Sequence, residues 1–356
     1  MLGTKESRRV LTVWRARLAG HMELARVLAV IAIIGLLPTP GVAAGFCTDT
    51  ANTLFKACGF MVLDDFWVAS ARCINEAEQG DRSKCNKAAA QERSDGNQLC
   101  RDQLDTRLAA CGVIGEGRYD PEFDTQLFDS DFTHLTKPNR FFPLGIGNRW
   151  EFKSADELNT IEVLNRTKLI DDVRCIVVTD QVFRNGELVE NTDDWFAQAK
   201  NGNVWYCGEE VKDFESFDGD VPKLPELVSI DGSFKAGRDL DKPGIIFLDS
   251  PQRGDTYIEE FSLANAEDVT EILSTSYAFG RDSVLDQLVP RALADALCHG
   301  DCVVTKNYSL LEPGIFARKY YAPGIGVFLE VEPDTQTVSR LTSCNFDPRC
   351  ATLLQP

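Results

Sequence analysis

A chain of 356 residues with 55 acidic against 37 basic side chains carries a formal charge of −18. That balance argues against a nucleic-acid partner, which needs a basic surface, and against adhesion to anionic lipid. The length allows one to three domains, and the acidity taken alone reads as solubility.

Residues 1–44 read as an export signal. Lys5, Arg8, Arg9, Arg15, Arg17 and Arg26 precede an apolar run over 27–37, which Pro38 and Pro40 break. Val42-Ala43-Ala44 then supplies the small residues a signal peptidase reads, so cleavage is expected near Ala44. The basic region is long enough for Met22 to compete with Met1 as the start. The run is too short to span ~30 Å of hydrocarbon as a stable helix. Phe46 in front of Cys47 does not suit a lipobox, and no second long apolar stretch follows. The leader holds 6 of the basic and 2 of the acidic side chains, so the remainder carries −22. The expected location is periplasmic or extracellular, with no transmembrane segment after the signal is removed.

All twelve cysteines lie beyond the leader, and an even number in an oxidising compartment predicts disulfides. Six occupy residues 47–111 at spacings of 11, 15, 12, 15 and 11, a series that reads the same in both directions. Residues that face each other across antiparallel helices have a constant index sum, and 47 and 111, 58 and 100, and 73 and 85 all sum to 158. No proline occurs between Pro40 and Pro121, and the centre of symmetry falls at Gln79 in the polar stretch 75–83. The spacing therefore predicts a helical hairpin over 45–112, stapled by Cys47–Cys111, Cys58–Cys100 and Cys73–Cys85. The segment has neither a CxxC pair nor a histidine, which counts against a metal knuckle.

Glycines and prolines punctuate 113–142, which reads as a linker whose aromatic residues pack on a neighbouring domain. From 143 to 356 the chain is β-rich. Strands are expected over 150–152, 161–164 and 173–183, with Asn185-Gly186 as a two-residue hairpin turn. The return strand begins at Glu187, and Asn201-Gly202 turns it into 204–206. An acidic excursion over 209–242 separates these from strands at 244–248, 257–261, 303–308, 316–321 and 326–331. Residues 283–297 read as an amphipathic helix that Pro290 bends or ends. The expected fold class is α+β: the stapled hairpin, then a curved antiparallel β-sheet with helical insertions. Cys344 and Cys350 suit a local bridge, and Cys298 and Cys302 flank His299-Gly300-Asp301. Cys175 and Cys207 are expected to pair only if their strands become neighbours.

Several motifs recur together in the β-rich part. They are Pro143-Leu144 with Gly147 and Trp150, Asp194-Trp195 with Ala197-Gln198, Gly202-Asn203-Val204-Trp205-Tyr206 with Gly208-Glu209, Pro243-Gly244-Ile245-Ile246, and Lys319-Tyr320-Tyr321-Ala322-Pro323-Gly324 with Gly326. This set, over about 143–331, resembles a group of secreted bacterial proteins with no assigned activity, so it implies no catalytic residue. The layout is also similar to periplasmic and outer-membrane-associated half-barrels that hold lipid or other apolar ligands, a likeness of fold alone.

Chemistry is sparse. Beyond the leader only His134 and His299 remain, and no GxSxG elbow, P-loop, GxGxxG or HExxH occurs. No catalytic residue, cofactor or metal ligand is predicted. Cys298 and Cys302 suggest a redox pair or half of a soft-metal site, but structural bridges are the favoured reading. The acidic pairs Asp129/Asp131 and Asp218/Asp220 read as solvated loops. Trp195, Trp205, Tyr206, Tyr320 and Tyr321 are candidate ligand-binding aromatics, against the competing reading that they form the sheet's core. Alternation places Trp205 and Tyr206 on opposite faces. The expected function is a non-catalytic exported protein that binds a small apolar ligand or a protein partner. The alternatives are a secreted enzyme using carboxylates or the Cys298/Cys302 cluster, and a purely structural protein.

Overall fold

The computed structural model describes residues 45–353. The export signal, the choice between Met1 and Met22 and the cleavage point at Ala44 lie outside the described residues.

Two helices form the N-terminal hairpin, α1 (Phe46–Ile74) and α2 (Gln79–Ile114). Residues 75–78 make the turn, just before the mirror centre at Gln79, which is the first residue of α2. Cys47–Cys111, Cys58–Cys100 and Cys73–Cys85 are bonded, with Cα–Cα distances of 5.6, 5.7 and 5.5 Å. The three staples cross one seam, because cysteines about three turns apart return to the same side of a helix. Gly96 lets the helices approach closely, since a Cβ there would sit 2.9 Å from a Val62 methyl carbon. The far side of α1 leaves Phe60, Leu63, Trp67 and Ile74 exposed. Among the described residues no helix is long and apolar enough to cross a membrane.

The hairpin is anchored to the rest of the chain by a buried ion pair. Arg107 on α2 donates from Nε (2.7 Å) and Nη2 (2.9 Å) to the two carboxylate oxygens of Glu267, and both side chains are about 95% buried. Gln103 Nε2 donates to the Leu311 carbonyl at 2.9 Å alongside it. Residues 115–148 then run across the β-sheet rather than away from it. Phe128, Phe132 and Phe141 are buried, and Tyr119 Oη donates to the Pro243 carbonyl.

Fifteen strands follow in one antiparallel sheet that is not closed. They are β1 (Arg149–Lys153), β2 (Glu157–Ile170), β3 (Val173–Arg184), β4 (Glu187–Gln198), β5 (Val204–Glu210), β6 (Asp213–Glu215), β7 (Glu226–Ser229), β8 (Phe234–Lys235), β9 (Gly244–Phe247), β10 (Thr256–Ile258), β11 (Asp268–Tyr277), β12 (Cys302–Ser309), β13 (Ala317–Ala322), β14 (Gly326–Glu332) and β15 (Thr337–Cys344). Their order is β10-β11-β12-β13-β14-β15-β1-β2-β3-β4-β5-β8, so a C-terminal meander joins an N-terminal one through β15 and β1. Asn185 and Gly186 both take positive φ, as a two-residue turn matching the strand twist requires. Irregular register inside β2, β4, β11 and β13 bends the sheet.

The bending brings the ends of the sheet together. β9 pairs with β5, and a single bridge joins Lys242 to Phe261 just beyond β10. Gly244 is needed at this meeting point, because a Cβ there would sit 2.0 Å from the Glu259 carbonyl oxygen.

Some elements depart from the sequence reading. β11 and β15 were not expected, and the acidic excursion contains β6, β7 and β8. The only α-helix after the hairpin among the described residues is α3 (Arg291–Leu297), with Pro290 as its N-cap. Pro290 thus starts a short helix instead of bending a long one, since a fixed φ suits a helix start. Cys175 and Cys207 are bonded although β3 and β5 are separated by β4, so neighbouring strands are not required. The bridge lies in one buried cluster with Ala197 and Trp195 of the intervening strand.

Candidate functional site

The concave face of the sheet holds a cavity of about 310 Å³ whose wall divides into two kinds of chemistry. One part is apolar: Trp150 and Phe152 of β1, Ile161 and Val163 of β2, Phe196 of β4 and Val327 of β14. The Trp150 indole is fixed by donating to the Ile325 carbonyl at 2.7 Å. The other part carries six carboxyl groups, Asp180, Asp194, Glu259, Glu260, Asp268 and Glu330, with one ammonium, Lys319.

Strand alternation explains the convergence. Residues two apart on a strand share a face, so Val178 and Asp180 on β3 line the cavity together, as do Asp194 and Phe196 on β4. Val178 is opposite Asp194 in the β3–β4 register, which places Asp180 one pleat along on the same face. Lys319 is opposite Glu330 between β13 and β14. Glu259, Glu260 and Asp268 come from the other end of the sheet and arrive because that end meets β9.

Tyr206 of β5 organises the β4–β5 side. Its ring stacks on Phe196 at a centroid distance of 4.9 Å. Its hydroxyl lies in hydrogen-bond contact with Asp194 and 3.0 Å from Glu209. A phenol has one proton to donate, so two such contacts are both hydrogen bonds only when one carboxyl is protonated and donates to the phenol oxygen. The electrostatics agree. Burial pushes Asp194 up to about 7, with Glu190 and Asp193 adding to the rise against the Tyr206 hydrogen bond. Burial and the Asp194 charge raise Glu209. Burial raises Asp180, with help from Asp194 and Glu190, and raises Glu260, with help from Asp268 and Glu209. Asp268 reaches about 6 through burial and the nearby Glu259. Burial opposes the charge on Lys319, but Glu330, Glu259 and Asp268 more than offset it and raise the ammonium's pKa. Glu259 is held by Thr270 and Asn307, the latter donating at 2.8 Å.

The five candidate aromatics separate. Tyr206 and Tyr321 line this cavity. Trp195 points to the opposite face of β4, in the cluster with the Cys175–Cys207 bridge and with the Lys168 ammonium 3.3 Å from its ring centroid. Trp205, opposed to Tyr206 as alternation requires, packs beside Phe123 and Phe128 and borders a separate pocket of about 380 Å³. Tyr320 is buried, its hydroxyl donating to the Leu285 carbonyl at 2.6 Å. Cys298 and Cys302 are bonded to each other and buried, and Cys344 is bonded to Cys350. The described residues contain no free cysteine and no group of three or more side chains placed to hold a metal ion.

Composition offered no means of picking the six carboxyls from among so many acids. The usable signal is local: Asp180 and Asp194 sit at positions of long β-runs where alternation would place an inward side chain.

No family model and no curated protein matches the chain. Among solved structures, it is similar to a protein inferred to be exported, with a YmcC-like fold, from Bacteroides fragilis. The identity is 13% and the TM-score 0.29, over 58% of this chain and 99% of that one. A protein inferred to be a lipoprotein from Parabacteroides distasonis is similar at 10% identity and a TM-score of 0.28, over 59% of this chain and 100% of that one. Likenesses of this size assign neither a fold nor a function here.

Proposed function

We propose that this chain is an exported, non-catalytic protein that holds a small ligand with an apolar body on the concave face of its sheet. The observation that carries the reading is the cavity of about 310 Å³ floored by Trp150, Phe152, Ile161 and Val163. A concave pocket that sets apolar side chains beside a few convergent polar groups is the usual form of a small-ligand site. Export rests on the leader sequence and on six disulfides, which persist in oxidising compartments. A periplasmic or extracellular site of action follows from both. The resemblance to secreted bacterial proteins through the Lys319–Gly326 and Gly202–Glu209 motifs fits, since Tyr206, Lys319, Tyr321 and Gly326 all border the cavity.

The test is titration with N-phenyl-1-naphthylamine, an uncharged dye that brightens in apolar surroundings. Saturable binding is expected, with energy transfer from Trp150. Val327→Trp, which fills the hollow, is expected to weaken binding by about tenfold or more, or ~1.4 kcal/mol. Absence of saturable binding, or equal affinity in the variant, would refute the reading.

The Asp194–Tyr206–Glu209 array favours a second reading, general acid–base chemistry on the bound ligand, because acids held near neutral pH suit proton transfer. Nitrophenol release from a panel of nitrophenyl glycosides and esters, lost in Asp194→Asn, is its expected signature. The Cys298/Cys302 version of an enzyme would need its buried bridge to be reduced in the working cycle.

A further inference from the structure

We infer that the ligand is an amphiphile whose head is a protonated amine, seated among Asp180, Asp194 and Glu260. The inference rests on the ligand-binding reading above and adds the chemistry of the head.

Three observations carry it. The first is the imbalance of the polar wall, six carboxyl groups against the single ammonium of Lys319. Lys319 is on β13 opposite Glu330, so neither β3 nor β4 contributes a cation to the wall. Among the described residues, none of the six carboxyls has an ion-pair partner within 4.0 Å.

The second is a pair of unused acceptors. Asp180 Oδ1 and Asn159 Oδ1 each expose less than 1 Å² and have no hydrogen-bond partner, and both residues line the cavity. Asn159 Nδ2 already faces Asp180 Oδ2 at 3.5 Å, so the amide's donor end is engaged and its acceptor end is left over. A buried acceptor left unmet is costly, because it has given up water without a replacement. An alkylammonium brings three donors and a positive charge, which suits the Asn159 carbonyl oxygen and the ionised form of Asp180.

The third is placement. The acceptors adjoin the apolar floor, since Ile161 is opposite Asp180 in the β2–β3 register. A head at Asp180 therefore puts its chain along Ile161, Val163 and Phe152.

Competing heads fit less well. A fatty carboxylate would add a seventh carboxyl to the wall and, when ionised, brings no donor. A neutral alcohol offers one proton for two acceptors and leaves the charge imbalance standing. A metal ion lacks a ligand set among the described residues.

An ammonium entering the cluster favours the charged form of each carboxyl, so binding near neutral pH releases protons. The groups facing Asp194 are Tyr206 and Glu209 on β5, Asp180 on β3, Lys319 on β13 and Glu260 beyond β10, with Glu190 and Asp193 on its own strand. Tyr206 and Lys319 hold their protons throughout, so the released protons come from the acids.

The experiment is calorimetric titration of the intact secreted form at about pH 7 with octylamine, octan-1-ol and octanoate, which share one tail. Octylamine is expected to bind about tenfold tighter than octanol, an advantage of ~1.4 kcal/mol, and octanoate weakest. Repeating the octylamine titration in two buffers of different ionisation heat is expected to show net proton release. Asp180→Asn, nearly isosteric, is expected to cut the amine's preference over octanol to about threefold or less, ~0.7 kcal/mol. Glu260→Gln serves as the second variant with the same expected direction. Octanol binding as tightly as octylamine, or amine binding without proton release, overturns the cationic head while the apolar cavity stands. Failure of all three ligands overturns both.

Discussion

Asp194 sits at the centre of the site, with burial and its neighbours Glu190 and Asp193 holding its carboxyl up to about 7 against the Tyr206 hydrogen bond. In the unfolded chain an aspartate titrates near 3.8. Between those values the folded state binds more protons than the unfolded one, so this group's contribution to stability falls as pH rises and levels off above about 7. Asp194→Asn removes that titration while keeping a partner for Tyr206. The variant is expected to be more stable than the parent at about pH 8 by roughly 1–3 kcal/mol, and nearly equal to it at about pH 4. Thermal melts at the two pH values read the difference, and an equal effect at both would contradict the assignment. Tyr206 and Tyr321 were visible in the sequence because aromatic pairs in β-runs stand out, and alternation correctly separated Trp205 from Tyr206. The acids were not visible, because nothing local distinguishes Asp194 from a solvated aspartate. What distinguishes it is Val178 opposite and Tyr206 on the next strand, and both are facts of register.

The hairpin was legible because its rule lies in one dimension: a constant index sum turns a list of cysteines into helix geometry. Each of its three bridges is expected to contribute about 2–4 kcal/mol, less when nested. Its anchor to the sheet was not legible, because Arg107 and Glu267 are 160 residues apart. Removing one member of a buried pair strands the other charge, so Glu267→Ala is expected to destabilise by about 3–5 kcal/mol. The double variant Arg107→Met/Glu267→Leu is expected to recover most of that loss, as urea unfolding would measure. A double variant as unstable as the single one would mean that the pair is more than a docking contact. Among the strands, β11 and β15 escaped notice because polar residues, some of them buried like Thr270 and Thr342, break the apolar alternation. The turn between β2 and β3 escaped for a different reason: Asp171 and Asp172 both take positive φ, a role usually given to Asn-Gly.

At the scale of the whole molecule, an open antiparallel sheet is bent until its ends meet, and the meeting produces the site. Asp180 and Asp194 belong to one half of the sheet, while Glu259, Glu260 and Asp268 belong to the other. Gly244 permits the contact, since only hydrogen fits against the Glu259 carbonyl. Gly244→Val is expected to push β9 from the 259–261 segment and weaken binding of N-phenyl-1-naphthylamine, with the helical hairpin and its disulfides unaffected; dye titration and far-ultraviolet circular dichroism together check this. The sequence showed a curved sheet in outline, but which strands end up facing each other depends on irregular register in β2, β4, β11 and β13, and that leaves no composition signal. The central claim is that the hollow is a ligand site. Native mass spectrometry of the secreted form, compared with Val327→Trp, addresses it directly. A discrete small-molecule adduct is expected on the parent protein and not on the filled variant. Bare polypeptide masses for both proteins would contradict it.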